Sequence, residues 1–215
     1  AGSQVEEIRM VDNAYPSQIA PEYGELYRLV TEQNAGSEKI YRQILEQMDV
    51  DSFLEYYCAN LYFGNPQFDS FSTTVWRQEG EDSVGKWHWE FTDATDTLGR
   101  NSLSNYSVNT YLCPQVAGDL FFQELLKNPD FAESFRRRMQ AYAVEWTREQ
   151  VEEALTPILE KYRVAVTVTA QRYGVQQTEE GYLADADTIL TYFDRRGEYI
   201  LRYTQELLHR NAETE

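Results

Sequence analysis

A chain of 215 residues fits one domain, since domains run to about 100–200 residues. With 42% hydrophobic and 14% aromatic residues it can bury a sizeable core, which excludes disorder of the whole chain; no apolar run approaches the roughly 18 residues of a membrane span. The balance of 19 Lys and Arg against 36 Asp and Glu gives a net charge of −17, which excludes the basic footprint that nucleic acid or an anionic membrane surface requires.

Residues 1–19 are weakly patterned and read as an irregular segment, because Pro16 and Pro21 delay any helix until about Glu22. Residues 20–215 read as one helical domain with an inserted hairpin at about 72–92. Tyr23, Leu26, Tyr27, Leu29 and Val30 recur at helical spacing, and after the Gly36-Ser37 break Ile40, Tyr41, Ile44, Leu45 and Met48 do so again. Ser52 with Glu55 has the pattern of a capping box for a third helix, with Asp49 and Asp51 adding negative charge at its start. That helix carries Phe53, Leu54, Tyr57, Cys58, Leu61 and Tyr62 and ends at Gly64-Asn65.

The texture changes at Pro66. Residues 72–78 and 86–92 are β-branched and aromatic and flank a polar, glycine-containing loop, which predicts a hairpin. In its second strand Trp87, Trp89 and Phe91 alternate with Lys86, His88 and Glu90, so one face is aromatic and the other polar. Residues 94–117 lack a period and read as a long loop; Leu120, Phe121, Phe122, Leu125 and Leu126 then read as a core helix. Asn128-Pro129 caps the next helix. Thr147 with Gln150 opens another that runs towards Arg172 and Gly174, with Pro157 predicting a kink or an early stop. A last helix covers about Asp187 to His209, weakened locally by Gly197. The fold class is predominantly helical α+β.

No glycine-rich phosphate loop, HExxH, CxxC or GxSxG motif is present, and with only His88 and His209 a histidine-rich metal site is excluded. Cys58, in an apolar helical stretch, reads as a buried thiol. The candidates for chemistry are acidic residues at turns: Asp69 between the third helix and the hairpin, and Asp93 and Asp96 where the second strand runs out before Gly99-Arg100-Asn101. A carboxylate at a strand end can present oxygen to Mg²⁺, and a loop Asp nearby can orient a hydroxyl, although such residues also serve as turn formers and caps. Ala1-Gly2-Ser3-Gln4 reads as an engineered scar or an internal cut, so this end does not reveal the compartment.

Asp49-Val50-Asp51-Ser52-Phe53-Leu54, Asn60-Leu61-Tyr62-Phe63-Gly64-Asn65, Trp76-Arg77, Gly85-Lys86-Trp87-His88-Trp89, and Asp93 with Thr97-Leu98-Gly99-Arg100-Asn101 follow one another in an order that resembles the spore coat protein H (CotH) kinase family. Asn128-Pro129-Asp130-Phe131 with Phe135-Arg136-Arg137-Arg138, and the stretch from Tyr192-Phe193 to Leu207, resemble its later helices, so the likeness spans roughly 20–210. It implies an atypical kinase-like C-terminal lobe and, where such proteins are active, phosphate transfer from ATP with a divalent metal such as Mg²⁺. By resemblance Asp93 is the metal-binding Asp and Trp87 the cofactor-binding Trp six residues before it. The catalytic Asp of the pattern Gly-Asn-x-Asp falls on Gln67, and a later Asn-Asn pair falls on Phe71-Ser72. Gln67 cannot accept a proton as a carboxylate does; a two-residue slip brings Asp69 to that role.

The resemblance also implies an N-terminal lobe, rich in strands and supplying phosphate-holding basic residues, which is missing before residue 20. The expectation is therefore a degenerate or incomplete kinase-like protein that acts by binding, with no cofactor of its own and a protein partner or substrate. One alternative is an active phosphotransferase when joined to that lobe, with ATP and Mg²⁺. Another is an extracellular glycan- or protein-binding module that uses Trp76, Trp87 and Trp89 as a platform, unless those rings form the hairpin core. The resemblance implies an extracytoplasmic or surface-associated bacterial setting. The acidic excess reads first as solubility; with −12 of it in residues 1–127, it also fits a missing basic lobe.

Overall fold

The computed structural model describes residues 7–12, 21–65, 74–79, 84–91, 94–95, 97–100, 105–174 and 178–213. In chain order these form β1 (Glu7–Asp12), α1 (Pro21–Glu32), α2 (Glu38–Gln47), α3 (Val50–Phe63), β2 (Thr74–Glu79) and β3 (His88–Glu90). A single 3₁₀ turn (Thr110–Leu112) leads to α4 (Pro114–Ala117), α5 (Leu120–Leu125), α6 (Pro129–Glu145), α7 (Arg148–Tyr173) and α8 (Glu179–Glu213). The fold is predominantly helical α+β, as the periodicities predict.

α3 lies at the centre. Of its residues from Phe53 to Tyr62, all but Glu55 are buried, so the helix is enclosed on nearly every side rather than along one stripe. α6 and α8 pack on it, β3 lies along it, and α1 packs against α2 and α5. Aromatic side chains fill the joints. Phe122 stacks on Tyr57 with ring centroids 4.0 Å apart and meets Phe135 edge-on at 5.1 Å. Each fully buried ring of this kind contributes about 1.5–3 kcal/mol through removal from water.

The caps follow the residue chemistry with one exception. Asn128 accepts from the N–H groups of Asp130 and Phe131, and the Thr147–Gln150 capping box is present in both directions. α3, however, starts earlier than its Ser52-Glu55 pattern predicts. Asp49 is the cap and accepts from the Ser52 N–H at 2.8 Å, because the Ser52 hydroxyl is engaged by the backbone of Trp89. α7 runs through Pro157 without a stop: the ring removes one N–H, and the helix continues to the left-handed Gly174. Gly197 lies within α8 where α6 passes close, so a Cβ there would sit 3.4 Å from the Ala143 methyl.

Two segments read as irregular carry structure. Residues 7–12 form β1, antiparallel to β2 from Glu7↔Glu79 to Asp12↔Thr74, so the expected hairpin is part of a three-stranded sheet in the order β1-β2-β3. The alternation that would mark β1 is short and mixed, and the neighbouring strand supplies its hydrogen bonds. Within the expected loop 94–117, Asn109 caps the 3₁₀ turn and Pro114 starts α4. These elements are too brief for a period to register. Cys58 is fully buried and unbridged, as expected; burial pushes its thiol pKa well up, and Cys113 is also free.

Candidate functional site

The geometry that concerns function lies at the two ends of α3. At its start, the segment 87–89 is held between β2 on one side and the α2–α3 turn on the other. The Trp87 N–H donates to the Gln47 carbonyl (2.8 Å), and the Asp49 N–H donates to the Trp87 carbonyl (2.9 Å), a parallel bridge. Two residues on, the Trp89 N–H donates to Ser52 Oγ (2.9 Å), whose hydroxyl donates to the Trp89 carbonyl (3.2 Å). Ser52 thus substitutes for a strand neighbour. Asp49 adds a contact of 3.5 Å from its Oδ2 to His88 Nδ1, and the His88 ring stacks on Trp76 at 4.5 Å.

Trp87, the residue that the resemblance assigns to cofactor binding, is 1% exposed. The Arg77 guanidinium sits 4.5 Å from its ring centroid, and Tyr23 meets the ring edge-on at 5.3 Å. The antiparallel register explains the first contact: Trp76 pairs with His88, so the next position along brings Arg77 opposite Trp87. The indole Nε1 is buried without a hydrogen-bond partner among the described residues, a feature that costs about 1–3 kcal/mol and that the cation–π contact partly offsets. Trp89, 7% exposed, packs on Phe53 and Tyr23. Trp87 and Trp89 are therefore core residues, and an exposed three-tryptophan platform does not form.

The far end of α3 is closed by its own cap residues and by groups from distant parts of the chain. A helix leaves its last carbonyls without intrahelical donors, and here each finds one, from the cap residues or from distant parts of the chain. Gly64, in the left-handed conformation with φ 65°, and Asn65 both direct their N–H groups to the Asn60 carbonyl. The Leu61 carbonyl accepts from Arg196 Nη2 at 2.5 Å and from Thr110 Oγ1 at 3.1 Å. The Tyr62 carbonyl accepts from Arg196 Nε at 2.8 Å and from the Tyr192 hydroxyl. The Phe63 carbonyl accepts from the Leu98 N–H at 3.0 Å.

Arg196 is wholly buried. Its Nη1 also donates to the Tyr106 and Val108 carbonyls, at 3.0 and 2.7 Å. The negative end of the α3 dipole and this ring of carbonyls satisfy a charge that would otherwise be costly to bury. Leu98 itself has φ 60°, a left-handed geometry uncommon for a residue with a branched side chain, and Gly99 follows at φ 82°.

Of the residues singled out from the sequence, Trp87 lies at the start of α3, whereas Gln67, Asp69 and Asp93 lie outside the described residues, as do Asp96 and Phe71-Ser72. Two of their described neighbours, Asn65 and Phe91, contact the last turn of α3. Asn65, which leads into 66–73, donates through its side chain to Asn60 Oδ1 at 2.7 Å. Phe91, which leads into 92–93, packs on Phe63 at 6.3 Å. Among the described residues, no group of three or more His, Cys, Asp or Glu side chains is placed to hold a metal ion.

One face of the Trp87 ring carries Arg77, and its N–H is buried.

Tyr192 and Leu98 are named in the sequence only as parts of family-like motifs, with no role at the end of α3, and Arg196 is not named there. Arg196 had a signal: it falls between Tyr192, Phe193 and Ile200 at helical spacing, on the apolar stripe of α8.

No curated protein and no solved structure shows a significant match to the chain. The order of motifs along α3, the sheet and α6–α8 does find a counterpart: residues 12–200 match the model of the CotH kinase proteins, and the chain belongs to that family.

Proposed function

We propose that this kinase-like chain acts by binding a protein partner and does not itself transfer phosphate. The enclosure of Trp87 carries the reading: the residue assigned to cofactor binding is packed among Tyr23, Arg77 and the α2–α3 turn. The amide at Gln67, where the family pattern has a carboxylate, supports it, because an amide cannot take the proton of an attacking hydroxyl. Calorimetric titration of Mg-ATP into the chain is expected to give no binding heat. Micromolar affinity that disappears in Asp93→Ala would overturn the reading.

One observation favours a second reading, an active phosphotransferase completed by an N-terminal lobe. Asn65 and Phe91, the described residues next to the segments that hold Asp69 and Asp93, both contact the last turn of α3, at Asn60 and Phe63. In that case a longer protein containing the lobe autophosphorylates, and Asp69→Asn silences it. Unchanged activity in that variant removes Asp69 from the mechanism. The surface-associated or spore-coat setting implied by the family accompanies either reading, and fractionation of the native protein tests it.

A further inference from the structure

A small polar pocket lies beside the far end of α3. Asp187, Thr188, Thr191 and Tyr192 line it from α8, and Gly99, Asn105 and Tyr106 complete it. The α8 positions run i, i+1, i+4 and i+5, so they share one face of the helix. Each wall is held in place. Leu98, at φ 60°, donates its N–H to the Phe63 carbonyl at 3.0 Å, and Gly99 follows at φ 82°. Backbone in this region clusters where ligands are held. Asn105 Oδ1 accepts from the Ser107 N–H (2.8 Å) and hydroxyl (2.7 Å), and the Tyr192 hydroxyl donates to the Tyr62 carbonyl. The volume is about 220 Å³, below the roughly 300–1,000 Å³ of small-molecule sites, so the pocket suits one side chain rather than a nucleotide.

The lining indicates which side chain. It has one carboxylate, Asp187, and no basic residue. Asp187 meets Arg148 through Oδ1 alone, at 3.3 Å, which leaves Oδ2 open among the described residues. The Thr191 hydroxyl makes no hydrogen bond among the described residues, and Thr188 Oγ1 donates to the Ala184 carbonyl with its lone pairs unused. These oxygens are acceptors, and the Tyr106 ring beside them is an apolar wall. The neighbouring guanidinium groups are engaged elsewhere. Arg148 is shared between Asp187 and Asp194, Arg195 lies over the Tyr106 and Tyr199 rings, and Arg100 donates to the Thr95 carbonyl. The net charge of −17 draws basic partners towards the chain at long range.

We propose that this pocket takes a basic side chain, Lys or Arg, of the protein partner. The proposal rests on the reading that the chain acts by binding a protein. The Asp187 carboxylate meets the cationic head, Thr188 and Thr191 accept its remaining N–H groups, and the apolar stem lies along Tyr106.

Fluorescence anisotropy of labelled hexalysine with the full chain tests this. Asp187→Asn is expected to weaken binding by at least about fivefold, whereas Glu153→Gln, which removes the same charge from an exposed site on α7, costs less than about twofold. Thr191→Arg places a cation at the pocket and should weaken binding by at least about tenfold, with circular dichroism unchanged because Thr191 is exposed. Equal losses in Asp187→Asn and Glu153→Gln would reduce the effect to general attraction and overturn the proposal, as would full binding by Thr191→Arg. Titration of Mg-ATP into the same samples separates the two readings. A silent titration with hexalysine indifferent to Asp187 removes the pocket and leaves the binding reading. Heat that disappears in Asp93→Ala overturns the binding reading whatever hexalysine does.

Discussion

Arg196 illustrates how one side chain joins parts of the chain that are far apart in sequence. It binds four backbone carbonyls from α3 and the 106–108 segment, with Thr110 Oγ1 beside them. Arg196→Met keeps the apolar volume but strips donors from buried carbonyls, and an expected loss of about 3–5 kcal/mol should appear in urea denaturation. Arg196→Lys should recover only a minor part, since an ammonium cannot reproduce the planar fork. A loss below about 1 kcal/mol for the Met variant would mean that water replaces those bonds. The Arg was visible on the apolar stripe of α8, but its acceptors were not. They are main-chain atoms of another helix, and no residue pattern reports them.

At the scale of elements, the caps were the most legible feature and also the place where local rules were overruled. Asn128 was read as a cap from Asn-Pro alone, and in the structure it does more. Its amide also donates to the Ala35 and Gly36 carbonyls, at 3.3 and 3.5 Å, and so ties the start of α6 to the α1–α2 turn. Asn128→Asp should therefore keep the cap and lose the tie, whereas Asn128→Ala loses both. The expected order of thermal stability is wild type, then Asp, then Ala, with the Ala variant down by about 2 kcal/mol. Equal stability of the Asp and Ala variants would show that the cap contributes little. Ser52 is the opposite case. Its capping-box spacing is genuine, but the hydroxyl can serve one environment only, and the backbone of Trp89 takes it. The strand β1 was missed because its order depends on β2, sixty-odd residues later in the chain.

For the whole molecule, the tyrosine-rich core has a consequence for pH. Burial raises the pKa of Tyr41 and Tyr62 to about 12 and pushes those of Tyr57, Tyr111, Tyr142 and Tyr192 upwards as well. Hydrogen bonding and the nearby carboxylate of Asp119 add to the burial effect at Tyr57, and Glu55 does so at Tyr142. A raised pKa means that the folded state holds the proton more tightly than the unfolded state. The contribution to stability is thus complete below the ordinary tyrosine value of 10.0 and is lost as pH climbs from there through the folded values. These tyrosines should ionise in one cooperative step that coincides with loss of circular dichroism. Gradual ionisation with the fold intact would contradict the enclosed core.

The sequence by itself determined the helical class, most helix starts and stops, the aromatic face of β3 and the family, because periodicity, capping chemistry and motif order are local or ordered along the chain. Through the resemblance it also assigned Trp87 to cofactor binding, beside Gln67, Asp69 and Asp93. Tertiary structure decided that Trp87 is enclosed, since that depends on Arg77 arriving across the sheet and Tyr23 from α1. It also decided that α8 closes the end of α3, because the Arg196 and Tyr192 side chains find their acceptors only when the two helices are brought together. Local sequence sets which elements form, whereas burial and long-range hydrogen bonding set which surfaces remain open to a partner.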